Sequence, residues 1–521
     1  MAFMNAIRNE LNNETKLTEN GAVGFRTTGK KLLDLNFSVA SLRGASEQTI
    51  INKFMDAYWE DPVVAIKWLF YTRDCREGLG ERRLFRIVLK HLAQEKPEVI
   101  KAVFSFAPIY GRYDDLWCLL DTELKQGVIF AVKAQLGEDV TNMRNNKSIS
   151  LLCKWLPSEN ASSKETKRYA GIIRKGLDMT SRNYRKMLSE MRKYIEVVEC
   201  KMSAKQWNEI DYETVPSRAN LIYNNAFLRN DEERRRAYLG ALEKGEAKIN
   251  AGTLFPHDIV HKYMSGGWYS CLNGYDAALE GMWKALPDTV RGNGNTLVVA
   301  DGSGSMTCNV GGNTHVTALD VANALAIYFA ERASGEFKNK YITFSERPQF
   351  VDFSNAKSLH DKIGIALRYN ECANTNIEAV FDLILQTAVN NHMAQEDIPT
   401  NILIVSDMEF DSCATTNSVS GSGWYSRYER PTATLFGTIA KKYAMYGYKL
   451  PRLIFWNVNS RTGTIPVKEN DLGVALVSGF SVNIVNMVMS NKLDPYECLL
   501  DALNVERYQP IADALRDVIT K

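Results

Sequence analysis

Hydrophobic and polar positions follow two different periods along this chain. Between residues 47 and 292 the apolar residues recur three and four positions apart, as they do at Leu84, Ile87, Val88 and Leu92. This spacing places them on one face of a helix. Short helices joined by short turns, without strand patterns between them, predict an α-solenoid of stacked, HEAT-like helical pairs, although no strict sequence period is visible.

The pattern changes near residue 293. From there to about residue 493, short apolar runs alternate with amphipathic helices, which predicts a doubly wound, Rossmann-like parallel sheet with helices on both faces. Two successive strands, at 339–345 and 348–353, predict a hairpin at one edge. A polar insertion runs from Glu409 to Arg430, and two short helices in 494–521 are expected to pack back on the body.

The first 46 residues are polar and predict an extended N-terminal arm. The arm ends in an apolar anchor formed by Leu32, Leu33, Leu35 and Phe37. Four segments are therefore expected: the arm, a helical domain over 47–292, a sheet domain over 293–493 and the closing helices. A chain of 521 residues is too long for one core, in agreement with this division.

Composition disfavours several classes of protein but does not indicate a function. The chain is 45% hydrophobic and 24% charged, with a net charge of +2, so a case for nucleic acid must be local. Nine cysteines occur singly, without a CxxC pair, which favours neither a zinc site nor a disulfide framework and fits a reducing cytoplasm. No signal peptide or membrane-spanning run is expected.

The clearest candidate site follows the apolar run 297–300. Asp301, Ser303 and Ser305 stand at alternate positions with glycines between them, so one turn presents a carboxylate and two hydroxyls. Asp407 ends a later strand, and Thr375 precedes a helix. If the strand order is 3-2-1-4-5-6, both carboxylates meet where that order reverses.

These five residues resemble the metal-ion-dependent adhesion site of von Willebrand factor A domains. The resemblance implies that the three hydroxyls contact Mg²⁺ or Mn²⁺ and that the aspartates act mostly through water. Hard oxygen donors suit either ion. The alternative is a hydrogen-bonded turn that holds no metal. Phosphatase and serine-hydrolase interpretations of the same loop are disfavoured, because Ser303 stands where a second Asp is needed and no triad His is evident.

Two stretches of the helical part are basic. The first is YTRDCREGLGERRLFR at 71–86; the second, 164–205, carries twelve basic against five acidic residues. Such an excess in a near-neutral protein predicts a phosphate-binding face, on which Tyr169, Tyr184 and Tyr194 could stack against bases. The alternative is a solvated helix face with internal ion pairs. His257 and His261 lack the Glu of a zinc-protease helix and predict an ordinary helix start.

The order of these parts resembles the Ro autoantigen (TROVE) family and, more closely, its uncharacterised relatives in bacteria, phages and plants. The motifs that carry the resemblance are TENGAVGFRTTGKKLLDL, YTRDCREGLGERRLFR, YGRYDDLW and IDYETVPSRA, followed by the adhesion-site motif. The resemblance implies a ring or horseshoe of helical repeats that binds small noncoding or misfolded RNA and has no enzymatic activity. By position the RNA-facing residues are Lys167, Arg168, Arg182, Arg185, Lys186, Arg192 and Lys193.

Two hypotheses follow. The first is a ribonucleoprotein scaffold that binds RNA on the basic helices and carries a metal-competent A domain. The second is a protein-interaction module that grips an acidic side chain of a partner through the metal. A role in virus–host conflict is a third hypothesis, for which no residue gives direct support.

Overall fold

The chain forms two compact units. The structure, a computed structural model, describes residues 15–265, 271–290, 295–311, 315–412, 434–488 and 492–519. The sheet unit consists of Met1–Thr49 and Leu254–Ala502, and the helical unit of Ile50–Thr253 and Leu503–Lys521. Each unit is therefore assembled from two separated stretches of chain. The predicted domain boundaries at residues 46, 292 and 493 stay predictions.

The sheet unit begins with a hairpin and two helices. Strands β1 (Thr15–Leu17) and β2 (Val23–Phe25) pair antiparallel, and helices α1 (Lys31–Phe37) and α2 (Val39–Leu42) follow. The four apolar residues of the predicted anchor are buried, and they lie on α1. Residues 1–14 of the predicted arm lie outside the described residues. The described part of the arm is a hairpin followed by two helices, all within the sheet unit.

The helical unit is formed by short helices with buried apolar faces. They are α3 (Glu47–Glu60), which begins before the unit's boundary, α4 (Pro62–Arg73), α5 (Arg83–Glu95), α6 (Pro97–Val103), α7 (Ala107–Tyr110), α8 (Lys125–Arg144), α9 (Leu152–Trp155), α10 (Lys164–Gly176), α11 (Ser181–Tyr194), α12 (Val198–Ser203), α13 (Ser217–Asn230) and α14 (Glu232–Lys244). Helix α4 begins where Asp61 accepts a hydrogen bond from the Val64 amide at 3.0 Å. Pro62 then occupies the first helical position, where its missing N–H costs nothing.

The sheet unit resumes after residue 253 with α15 (Pro256–Tyr263) and a short antiparallel pair, β3 (Met264–Ser265) and β4 (Cys271–Leu272). Its main sheet contains β5 (Thr296–Asp301), β6 (Lys340–Phe344), β7 (Pro348–Asp352), β8 (Asn401–Ser406), β9 (Arg452–Asn457) and β10 (Val474–Ser478). Its further helices are α16 (Ala277–Lys284), α17 (Ala318–Arg332), α18 (Leu359–Ala366), α19 (Glu378–Asn390), α20 (Leu435–Met445), α21 (Val485–Val488) and α22 (Pro495–Leu503).

The strand order of the main sheet is β10-β9-β8-β5-β6-β7. All neighbours are parallel except β7, which pairs antiparallel with β6 at the edge. Strands β8 and β9 are buried almost throughout, because helices cover both faces, and such strands are apolar along their whole length. When the six strands are numbered from β5 as the first, this order is 3-2-1-4-5-6 read from the β7 edge. The predicted fold class is confirmed: a helical part is followed by a doubly wound sheet with an edge hairpin.

Helix α23 (Gln509–Ile519) returns the chain to the helical unit. Just before it, Arg507 and Tyr508 donate hydrogen bonds to the fully buried carboxylate of Asp74, at 2.9 and 3.0 Å. Lys67 donates to Asn504 at 2.7 Å. These polar contacts join the last residues of the chain to helix α4. No helix among the described residues is long and apolar enough to span a bilayer.

Candidate metal centre and basic helical face

Two aspartates meet at the carboxyl ends of neighbouring strands. Asp301 is the last residue of β5, and Asp407 follows the last residue of β8; the two strands are parallel, with Ala300 opposite Val405. The Ser406 hydroxyl donates a hydrogen bond of 2.6 Å to Asp301 Oδ2. Both aspartates are only 1% exposed. The reversal of strand order thus brings together carboxylates that are more than a hundred residues apart in sequence.

The turn after β5 adds hydroxyl groups to this pair. The Ser303 amide donates to Asp301 Oδ1 at 2.9 Å, and the Ser303 and Ser305 hydroxyl oxygens lie 3.1 Å apart. The Ser305 hydroxyl also hydrogen-bonds to Asp407. Four of the five predicted metal-site residues therefore form one hydrogen-bonded cluster.

Thr375, the fifth predicted residue, lies in the loop before α19. We call the turn after β5 the first loop, the residues after β8 the second loop, and this loop the third loop. This loop packs directly on the first, because the Gly304 amide donates to Ala373 O at 3.0 Å. A Cβ on Gly304 would lie 3.0 Å from the Cys372 carbonyl oxygen, a tight contact that favours glycine there. Thr375 is 1% exposed, and its hydroxyl accepts a hydrogen bond from Asn20 at 3.3 Å. The first and third loops are thus adjacent, whereas Thr375 bonds to the N-terminal hairpin.

The electrostatics of the cluster favour a cation. Burial and the neighbouring Asp407 raise the pKa of Asp301 to about 7, and burial also raises the pKa of Asp407. Two buried carboxylates side by side are costly unless a positive charge compensates them. Arg461, 3.4 Å from Asp407, supplies part of that charge. A divalent ion would supply the rest, and the carboxylate and hydroxyl oxygens are suitable donors for Mg²⁺ or Mn²⁺. The residues therefore fit the metal that the sequence predicts.

The cluster differs from a conventional metal cage. No group of three or more His, Cys, Asp or Glu side chains that could hold a metal occurs within the described ranges. Among the five predicted metal-site residues only Asp301 and Asp407 are carboxylates, so much of the coordination would come from hydroxyls and water. A divalent ion held in this way stays electrophilic and can accept another acidic oxygen.

Three further residues at the rim were not predicted from the sequence. Glu409 is fully buried and accepts hydrogen bonds from the amides of Glu19, Arg461 and Thr462, at 2.9, 2.9 and 2.8 Å. Arg461 Nη2 lies 3.4 Å from Asp407 Oδ2 and 2.9 Å from Glu19 Oε2. The hairpin that carries Glu19 has one sequence signal, Asn-Gly at 20–21, which is typical of tight turns between strands.

The basic residues of the helical unit lie on two consecutive helices with the same pattern. Helices α10 and α11 each carry basic side chains at positions i, i+3, i+4 and i+11, which share one helix face. All eight are exposed: Lys164, Lys167, Arg168 and Lys175 on α10, and Arg182, Arg185, Lys186 and Lys193 on α11. The second set follows the first by eighteen residues. This local repeat is visible in the sequence but does not extend over the helical unit.

Two arginines of these helices turn inward instead. Arg192, predicted to face RNA, donates to the carbonyl oxygens of Cys153 and Leu156 at 2.9 and 2.7 Å. Arg174, its counterpart on α10, bonds to Glu159 at 2.7 Å. These guanidinium groups stabilise the packing of α10 and α11 against residues 153–159.

The predicted stacking role of Tyr184 is wrong. Its ring is fully buried, and its hydroxyl donates to Pro157 O at 2.9 Å. Tyr169 and Tyr194 are partly exposed. Their hydroxyls bond to Asp121 at 3.1 Å and to Lys147 O at 2.8 Å, respectively.

Some of the remaining cations are paired within the helical unit. Arg168 forms a two-pronged ion pair with Asp121, in which the longer bond is 2.8 Å. In the first basic stretch, Arg73 and Arg86 each donate at 2.7 Å to Asp115, which is fully buried. A Cβ on Gly111 would lie 2.5 Å from that carboxylate, so glycine is required beside it. That stretch therefore stabilises the core of the unit: ion pairs form, as in the alternative, but to a buried carboxylate and not on a solvated face.

The two histidines of α15 have structural surroundings. His257 is buried, stacks on Phe255 and meets Phe480 edge to face. His261 Nδ1 lies 2.8 Å from Asp320. Asp258 accepts a hydrogen bond from the Phe255 amide at 3.0 Å and caps the helix start. An ordinary capped helix with one buried histidine is confirmed.

Comparisons with known proteins give two family matches. The model of a domain of unknown function, DUF2828, matches residues 18–106 and 162–296. A second domain of unknown function, DUF7788, matches residues 295–507. The first match begins in the hairpin turn, after β1, and covers most of the helical stretch; the second covers the main sheet with its candidate metal site.

One curated relative and one solved structure are similar over most of the chain. An uncharacterized protein of Acanthamoeba polyphaga mimivirus is 29% identical over 534 residues, which cover 95% of this chain and 88% of that protein. The crystal structure of the Deinococcus radiodurans RO (RSR) protein covers 81% of this chain and 89% of its own, with 14% identity and a TM-score of 0.40.

Proposed function

We propose that this protein is a non-enzymatic RNA-binding scaffold that holds small structured or misfolded RNA on the basic face of α10 and α11. The observation that carries the proposal is the repeated pattern of eight exposed cations on these helices. Phosphate recognition needs long, mobile, solvent-facing Lys and Arg side chains at regular intervals, and it depends little on sequence.

The charge balance of the two helices supports a polyanionic partner. Among the eight cations, Arg168 is bound to Asp121, and Lys186 lies 3.7 Å from Glu190. The other six have no ion pair with a described residue. An exposed helix face with this excess repels other cations and attracts phosphates.

The test measures the affinity for a structured RNA with a single-stranded end by fluorescence anisotropy, at about 50 and about 200 mM salt. If roughly six phosphates are neutralised, affinity should fall by about 10³-fold over this range. The variant Arg182→Glu, Arg185→Glu, Lys186→Glu and Lys193→Glu should abolish the binding and flatten the salt dependence. Arg192 is left intact because it supports the fold.

A matched control reverses four exposed cations elsewhere in the helical unit: Lys101→Glu, Lys125→Glu, Arg229→Glu and Lys244→Glu. It changes the net charge by the same amount and should retain most of the affinity. Equal loss in both variants would mean that net charge alone drives binding. Absence of binding by the native protein at low salt would reject the proposal.

A second candidate function rests on the cluster of Asp301, Ser303, Ser305 and Asp407 with the adjacent Thr375. We propose that this cluster binds Mg²⁺ or Mn²⁺ and that the ion can take an acidic side chain of a protein partner. The buried, mutually repelling carboxylates are the supporting observation. Partners captured by the native protein should be released by EDTA and should not bind Asp301→Ala. Partners that survive both treatments would contradict a metal-bridged contact. The two functions use different units and are compatible.

A further inference from the structure

The tip of the N-terminal hairpin, residues 18–21, lies on the rim of the candidate metal site. Asn20 Nδ2 donates to the Thr375 hydroxyl at 3.3 Å and to Glu409 O at 2.6 Å. The Ser412 amide donates to Asn20 O at 3.3 Å. The tip therefore contacts the third loop and the residues that follow β8, which are the two places from which Thr375 and Asp407 come.

Glu19 at this tip shares one cationic group with the metal site. Arg461 Nη2 lies 2.9 Å from Glu19 Oε2 and 3.4 Å from Asp407 Oδ2. One guanidinium nitrogen thus bridges a predicted metal-site carboxylate and a carboxylate of the hairpin. Glu19 is half exposed and Asp407 is buried, so the bridge runs from the interior of the site to its solvent side.

The position of the tip is fixed by several bonds. The Glu19 amide donates to Glu409 Oε2 at 2.9 Å, and the Thr18 hydroxyl donates to Phe410 O at 2.6 Å. Phe25 exchanges two backbone hydrogen bonds with Ile465, of 2.7 and 2.9 Å. A Cβ on Gly24 would lie 2.7 Å from the Ile465 carbonyl oxygen, so the hairpin approaches this segment as closely as only glycine allows. Glu19 is held at the rim by the fold of the sheet unit.

We infer that Glu19 is the chain's own acidic ligand for the metal site, with Asn20 closing the rim over Thr375. The inference rests on the proposed metal competence of the cluster. The carboxyl groups of Asp301, Asp407, Glu19 and the buried Glu409 lie around this rim, where Arg461 supplies one positive charge and a divalent ion would supply two more. Arg461 holds the two outer carboxylates together when no metal is bound. An acidic side chain of a partner must then displace Glu19, so the site is filled within the chain before any partner arrives.

The test measures Mn²⁺ binding to the full-length protein by electron paramagnetic resonance at pH 7.5, together with hydrogen exchange of residues 18–21. Glu19→Gln keeps the size of the side chain and removes its charge. It should weaken Mn²⁺ binding by about 10- to 100-fold. Mn²⁺ should slow exchange of the Glu19 amide in the native protein and should not do so in Glu19→Gln. The control Glu346→Gln removes an exposed carboxylate from the β6–β7 turn of the same unit and should change neither quantity.

The outcomes separate this inference from the proposed metal site. If the native protein binds Mn²⁺, Asp301→Ala abolishes the binding and Glu19→Gln leaves both affinity and exchange unchanged, the metal site stands and the role of Glu19 is refuted. If the native protein does not bind Mn²⁺, both are refuted. Circular dichroism of each variant checks that the fold is retained.

Discussion

The metal-site loops of the sheet unit bury their charged side chains, whereas the basic helices of the helical unit expose theirs to solvent. Asp301 and Asp407 are buried, and each accepts a hydrogen bond from the backbone amide two residues further on, which fixes its orientation. Arg182, Arg185 and Lys193 are exposed. A small ion needs donors at fixed positions, whereas a flexible polyanion needs only charge density along a surface. Under the two proposed functions, the first region would therefore select its ligand by geometry and the second by charge.

The largest expected effect comes from replacing the buried carboxylate at the centre of the rigid region. Asp301→Asn should reduce Mn²⁺ affinity by at least about 100-fold. The metal-free fold should keep its stability or gain some, because a neutral amide removes the repulsion from Asp407. Calorimetric titration and thermal unfolding measure the two quantities. A large loss of stability without metal would show that the charge of Asp301 supports the fold by itself.

The pH dependence of the native protein gives a companion to this prediction. The pKa of Asp301 is raised to about 7 in the folded state, so its carboxyl group is mostly protonated at pH 5.5 and a metal must displace the proton. Stabilisation by Mn²⁺ should therefore be large at pH 7.5 and small at pH 5.5. Without metal the sign is reversed: the raised pKa means that stability falls as pH rises from about 4 towards 7. Equal stabilisation by Mn²⁺ at both pH values would contradict this account.

The sequence was most informative where physics constrains residues locally. The apolar run at 297–300 predicts the interior of β5 (Thr296–Asp301), because a strand buried on both faces has an apolar interior. The convergence of Asp301 with Asp407 follows from strand order alone, as predicted. The contacts of Glu19 were out of reach, since β1 and β2 have three residues each and carry no period. Glu409, which accepts a hydrogen bond from the Glu19 amide, also lies 390 positions further along the chain.

In the helical unit the charge count located the basic region but could not assign each cation. Arg185 and Arg192 are the same type of residue, and only their positions around the axis of α11 place one on the exposed face and the other on the buried face. Tyr184 and Leu188 mark the buried side, so a helical wheel could have placed Arg192 near it. The repeat over α10 and α11 was also detectable from the sequence. The carbonyl groups that Arg192 bonds require the fold itself.

Two arginines of α11 are expected to differ in what they contribute: one stabilises the fold and the other supplies charge for RNA binding. Arg192→Ala should lower the free energy of unfolding by about 1–3 kcal/mol, because it leaves the carbonyl groups of Cys153 and Leu156 without their donor. Arg185→Ala should leave stability almost unchanged and weaken RNA binding. Urea unfolding and anisotropy titrations of both variants measure the contrast. If Arg192→Ala kept full stability and lost RNA binding, its predicted role as an RNA-facing residue would be restored.

The smallest expected effects come from adding one methyl group in each region. At Gly304 a Cβ would lie 3.0 Å from the Cys372 carbonyl oxygen, whereas at Gly171 in α10 no atom lies within 4 Å. Gly171→Ala should therefore stabilise the protein by about 0.5–1 kcal/mol, because alanine favours the helix interior. Gly304→Ala should destabilise it by a similar amount and weaken Mn²⁺ binding, since the first and third loops must separate. If Gly304→Ala raised stability as Gly171→Ala does, the close packing of these loops, and with it the rigidity assigned to the metal site, would be wrong.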